Sequence, residues 1–235
     1  MDNIITLRIP TSWEDITVSQ FDELSSLSFN TKIIYQLLNI SYQSLLSKEI
    51  NEDDFDNLIT VLSIILDIDP EQIKLFSVDS FLAILEKLTW LTPLEYKDTD
   101  IKFNKTKVGL FIDLELIIED GLDKNFVRFL NKLTGEDVSG KPIPHYFNMF
   151  YAYLNWRKKT YEDFTGLFEE GDEEDIDMKN SSDIVRNRFN KKWNWFGFLY
   201  SLAQGDILKM EAVTELNMIG SLNFLSYEKE KANLK

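Results

Sequence analysis

Cysteine is absent from all 235 residues. Its absence excludes disulfides, thiolate metal sites and cysteine nucleophiles, and it suits a reducing compartment. Histidine is almost absent: His145, in PIPHYF, stands alone. With no HExxH and no GxSxG around it, zinc-protease and serine-hydrolase chemistry lack a motif. The simple reading of His145 is a partly exposed residue at a helix start. Nine glycines are scattered along the chain, and neither GxGxxG nor GxxxxGK[ST] occurs, so a phosphate cradle has no basis. Basic residues are outnumbered, 25 against 40 acidic ones, for a net charge of −15. Such a surface repels phosphate backbones, and no nucleic-acid partner is expected. No window approaches the ~18 uninterrupted apolar residues of a spanning helix, and MDNIITLRIP lacks the basic start and apolar run of a signal peptide. The expectation is a cytoplasmic protein with no membrane partner. Carboxylate pairs are too abundant for any one pair to be informative, so no catalytic, cofactor-binding or metal-ligating residue is nominated.

What is present is helical periodicity. The segment IITLRI (4–9, then Pro10) alternates in part and reads as a short strand or extended arm. Thr17 with Gln20 three residues on forms a capping-box pattern, and Phe21, Leu24 and Leu27 or Ser28 follow on one face. Residues 31–46 suggest a second helix, with a break near Ser41. In 51–69 an acidic start suits the positive end of a helix dipole, with Asp53 or Asp54 as cap and Leu58, Val61, Leu62, Ile65 and Leu66 as the stripe. Asp69-Pro70 is a start signal for the next helix. Residues 77–91 give another, closed by Thr92-Pro93.

The character shifts near residue 93. EYKDTDIKFNKTKVGLFIDLEL alternates in places and holds a turn-like NKTK, which predicts a small β-hairpin or β-excursion near residues 96–115. Helices resume at 123–135, stopped by Gly135, and an aromatic helix follows Pro144. The fold class is therefore mainly α, an irregular helical bundle with that β element. Three parts follow in order: 1–92, helical with its N-terminal strand or arm; 93–120, the β-containing connection; and 121–235, helical, with an acidic loop at 169–179. That loop carries seven carboxylates in positions 169–177. It reads as solvated chain, lacks the spacing of an EF-hand, and leaves docking to a basic partner open.

The stretch WNWFGFLYSLAQGD (193–206) is the strongest clue. Val185, Phe189, Trp193, Phe196 and Tyr200 follow one another at spacings of 4, 4, 3 and 4, along one helical face. Trp195, Leu199 and Leu202 lie on an adjoining face. Ser181 or Ser182 caps this helix, Gly205 stops it, and Asp206 caps a last helix whose apolar side is Val213, Leu216, Ile219, Leu222, Phe224 and Leu225. An apolar arc this broad either sits centrally among its own helices or offers a surface to another chain.

Two stretches carry a resemblance. IPTSWEDITVSQFDEL, followed by LITVLSIILDIDPEQIKLFSVDSF at 58–81, resembles the start of small proteins from tailed-phage structural gene clusters, including phages of gut Bacteroidetes. FGFLYSLAQGDILKMEAVTELNMIGSLNFLSYEKEKA is similar to the end of phage tail assembly chaperones. The resemblance spans about half of the chain and carries no catalytic signature. It implies a non-enzymatic chaperone that binds an aggregation-prone tape-measure-like protein or a tail tube component. Location would be the host cytoplasm during assembly, or the virion. The alternative it leaves is a structural virion component, such as a neck, ring or internal packaged protein. The contact surface expected on that basis is Trp193, Trp195, Phe196, Leu199 and Tyr200, with Leu222 and Leu225 nearby, while Trp13 and Phe21 fix the N-terminal arm.

Overall fold

In the computed structural model, which describes residues 7–27, 31–47, 49–97, 99–168 and 194–234, the chain is mainly helical and no strand occurs among the described residues. Its compact units interleave along the sequence. The first comprises Met1–Asp98 with Asp120–Phe150, and the second Thr99–Glu119 with Tyr151–Lys235. This differs from the contiguous division 1–92, 93–120 and 121–235, because 120–150 returns to the first unit.

In the first unit, residues 7–11 lie outside any regular element. Two indoles tie this segment down: Trp90 Nε1 donates to the Pro10 carbonyl at 2.8 Å and Trp13 Nε1 to the Thr92 carbonyl at 3.0 Å. The two rings meet edge-on at 5.7 Å, and Trp13 also packs against Phe21 at 6.1 Å. Helix α1 (Val18–Leu27) starts on the expected capping box. The Gln20 N–H donates to Thr17 Oγ1 at 3.2 Å, and the Thr17 N–H donates to Gln20 Oε1 at 3.0 Å. Gln20 Nε2 then reaches the Ile64 carbonyl at 2.9 Å, so one side chain both caps α1 and joins it to the helix that holds Ile64.

Helix α2 (Thr31–Ser47) runs through Ser41 without the expected break; Ser41 is fully buried. Helix α3 (Glu52–Leu66) is capped by Asn51, whose Oδ1 accepts from the Asp54 N–H at 2.8 Å. Asp53 and Asp54 are thus first-turn residues rather than caps, placed with Glu52 where the helix dipole favours negative charge. Asp69 accepts from the Glu71 N–H at 2.8 Å and Pro70 opens the short α4 (Pro70–Ile73), as expected. Helix α5 (Val78–Lys87) starts on Ser77 and ends at a C-cap on Leu88, short of Leu91. Phe21, Phe126, Phe147, Phe129 and Phe150 build an aromatic core in this unit from three edge-to-face pairs and one tilted pair, Phe21 with Phe126, with centroids 5.1–5.7 Å apart.

The expected β element near 96–115 is not present. Residues 104 and 105 do turn, but Val108–Glu119 forms a helix, α6. Its sequence misleads because Val108, Phe111, Ile112, Leu114, Glu115 and Ile117 are all buried. A helix covered on several sides shows no single apolar stripe, and its run of branched residues imitates a strand. Among the described residues of this stretch, extended pairing is one isolated antiparallel bridge, Lys107 with Asn217, where the Val108 N–H reaches the Leu216 carbonyl at 2.9 Å and the Met218 N–H the Thr106 carbonyl at 2.8 Å; a second isolated bridge joins Thr17 to Pro142.

Helix α7 (Leu122–Thr134) stops on Gly135, at a φ of 76° that suits glycine. Helix α8 (Ile143–Asp163) takes Pro144 into its first turn, where the missing N–H costs nothing. After α9 (Thr165–Phe168) comes the described helix at 194–202, α10. The chain then forms α11 (Met210–Thr214) and α12 (Met218–Asn233). The last apolar stretch is therefore two helices, not one. Asn217 separates them by capping α12, its Oδ1 accepting from the Gly220 N–H at 2.9 Å while its Nδ2 donates to the Asn104 carbonyl at 2.6 Å. The second unit's core joins Val108, Phe111, Ile112, Leu202, Ala203, Val213, Met218 and Leu222. No described helix is long and apolar enough to cross a membrane. The acidic segment 169–179 and the expected caps Ser181 and Ser182 lie outside the described residues.

Candidate functional site

Helix α10 divides its broad apolar arc between two environments. Leu202 and Ala203 are buried in the core of the second unit, and Trp195, Phe198 and Leu199 pack against that core. Trp195 meets Phe111 edge-on at 5.8 Å and Phe198 at 5.8 Å. On the opposite side Phe196 and Tyr200, one helical turn apart, stay 46% and 45% exposed. Their rings stack with centroids 6.1 Å apart and planes within 11°. The stack shields part of each ring and leaves outer surface in water.

The end of α10 is fixed by local chemistry. Gln204 and Gly205 both take positive φ, 55° and 80°, and the Gly205 N–H donates to the Tyr200 carbonyl at 3.0 Å. Glycine at 205 accepts the left-handed backbone. Asp206 accepts from the Leu208 N–H at 3.0 Å and pairs with Lys209 Nζ at 3.0 Å. The Lys209 bond first, and the Leu208 bond next, hold its carboxyl below the usual range. Asp206 is therefore a cap, but of a 3₁₀ turn, Ile207–Lys209, and not of the last helix, which Asn217 caps. That turn carries Ile207 and Leu208, 67% and 89% exposed.

The expected contact residues thus separate. Phe196 and Tyr200 face outward. Trp195, Leu199 and Leu225 are partly buried against the core, and Leu222 is fully buried within it. Trp193 lies outside the described residues. Sequence reasoning missed Ile207 and Leu208, whose place after Gly-Asp suggested the start of a buried helix.

A second cluster gave no motif. Glu115, on α6 with a side chain 2% exposed, receives Arg157 Nε and Nη2 from α8 in a two-pronged pair, both at 2.6 Å. The Tyr161 hydroxyl donates to the same carboxylate at 2.8 Å, and the Arg157 guanidinium lies 4.7 Å from the Tyr161 ring centre. The Glu115 hydrogen bonds raise the Arg157 pKa. Burial first, and the Glu115 charge second, push the Tyr161 phenol well above its ordinary value. The three groups satisfy one another. The cluster ties α6 to α8. His145 is exposed, beside Tyr146 at 5.1 Å. Among the described residues no three histidine, aspartate or glutamate side chains are arranged to hold a metal ion.

Comparison with protein-family models, curated proteins and solved structures finds no match to this chain.

Proposed function

We propose that the chain is a non-enzymatic protein-binding factor of phage morphogenesis, a tail assembly chaperone that keeps a long helical, tape-measure-like client soluble. The observation that carries the binding role is the outward aromatic stack of Phe196 and Tyr200, followed at the same helix end by exposed Ile207 and Leu208. Exposed aromatics on a firmly packed helix present apolar area at little further entropic cost, which is the character of interface anchors. A helical client meets such a surface with its own apolar stripe. A net charge of −15 keeps a complex of this kind in solution. The client's identity rests on the resemblance of the two ends of the chain to phage proteins, and the surface supports protein binding in general.

The test is copurification of the chain with the long helical product of the adjacent structural gene, together with mass spectrometry of purified particles. Copurification, with the chain absent from mature particles, is the expected result. Stoichiometric presence in particles would replace the chaperone with a virion component, and failure to copurify would remove the named client.

A further inference from the structure

In the first unit, α2 and the C-terminal end of α5 enclose a hollow of about 210 Å³. Tyr35, Leu38 and Tyr42 line it from α2, at spacings of 3 and 4 that put them on one helical face. Leu85, Glu86 and Leu88 line it from α5 and its C-cap. Leu38, Leu85 and Leu88 are buried and make an apolar floor. The two tyrosines are half-buried and Glu86 is exposed, so they form the wall.

We propose that this hollow binds an organic cation with an apolar stem, an alkylammonium or guanidinium group. Four independent features favour a positive head. Among the side chains that the structure describes, Glu86 pairs with no cation, and it accepts from the Tyr42 hydroxyl at 3.3 Å. A carboxylate has more lone pairs than one hydroxyl can fill. Tyr35 and Tyr42 put two aromatic rings into the lining, and the faces of such rings attract cations. The hollow sits at the C-terminus of α5, where the helix dipole is negative. Residues 48–74 of the same unit carry eight carboxylates against two lysines, a negative balance that favours cations. The neighbouring cation, Lys87, does not line the hollow. Burial and the Glu86 charge raise the Tyr42 pKa, which keeps its hydroxyl a donor to Glu86. The floor selects the stem and the wall selects the charge. This site is independent of the exposed surface on α10.

The experiment is an amide-shift NMR titration of the full chain with n-butylammonium chloride and, at matched ionic strength, with n-butanol. The expected result is saturable shifts at 35–42 and 85–88, with the ammonium bound about tenfold tighter than the alcohol. Glu86→Gln should bring the ammonium down to the alcohol's affinity and leave the alcohol unchanged. Tyr35→Leu should weaken the ammonium more than the alcohol. Circular dichroism confirms that each variant is folded. Equal affinities for the two probes, insensitivity to Glu86→Gln, or shifts confined elsewhere would overturn the proposal. Two further arms locate the source of the cation. Binding of Nα-acetyl-lysine methylamide at least as tight as butylammonium assigns the hollow to a partner's side chain. Binding of cadaverine without the capped lysine assigns it to a free amine.

Discussion

Arg157→Met tests how the second unit is held together. The substitution keeps most of the aliphatic volume and removes the guanidinium from Glu115, whose side chain is 2% exposed. Two 2.6 Å charge-assisted bonds are lost, leaving a buried carboxylate with the Tyr161 hydroxyl alone. Breaking a buried pair from one side costs about 3–5 kcal/mol. Arg157 is itself 31% exposed, so some water reaches the vacated place and the lower end, about 3 kcal/mol, is expected. In a chain of this length that corresponds to a fall of about 6–12 °C in Tm. The converse, Glu115→Leu, should cost less, about 1–2 kcal/mol, because the stranded guanidinium can turn toward solvent. The double variant, Glu115→Leu with Arg157→Met, should come within about 1 kcal/mol of Glu115→Leu alone, since no buried charge remains. Urea unfolding followed by far-ultraviolet circular dichroism measures all three. Equal costs for the two single variants, or a cost below about 1 kcal/mol for Arg157→Met, would refute the argument that burial of the carboxylate makes the pair asymmetric.

Two other outcomes follow from particular contacts. Burial raises the Asp22 pKa above 3.8 in the fold, against a bond from the Val127 backbone. Its ionisation therefore opposes folding. The stability associated with the neutral form is complete below the unfolded pKa and is lost as pH rises through the raised folded value. Asp22→Asn should raise Tm at pH 7 and have no effect below about pH 3; a gain that persists at low pH would contradict this. Asn217→Ala removes both the α12 cap and the link to the Asn104 carbonyl, and should cost about 1–2 kcal/mol in urea unfolding, against under about 0.5 kcal/mol if the cap is redundant.

Features carried by neighbouring residues were legible in the sequence. Thr17 with Gln20, Asp69 with Pro70, Gly135, and Gly205 with Asp206 all act within a few positions of themselves, and each does what its chemistry dictates. The α3 cap was harder to place because Asn51 precedes a run of aspartates that also favour a helix start. Features set by distant neighbours were hidden. α6 looked like strand because burial on several sides erased its stripe, and Glu115 meets Arg157 only across 42 positions. The apolar period of the last stretch runs straight through Asn217, whose capping role depends on geometry at Asn104 and Gly220. On α10 the periodicity correctly put Phe196 and Tyr200 on one face. Which half of the arc other helices cover depends on α6, α11 and α12, and that assigned Trp195, Leu199 and Leu202 inward.

The proposed binding surface is tested most directly by expressing a long helical tape-measure-like protein alone, with the native chain, and with a Phe196→Ser/Tyr200→Ser variant, and measuring the soluble fraction of that client. Both replaced side chains lie largely outside the core, so the variant should keep its Tm within a few degrees. The native chain should raise client solubility several-fold and the folded variant should not. Equal rescue by the variant, or no rescue by the native chain, would contradict the assignment of this surface to client binding.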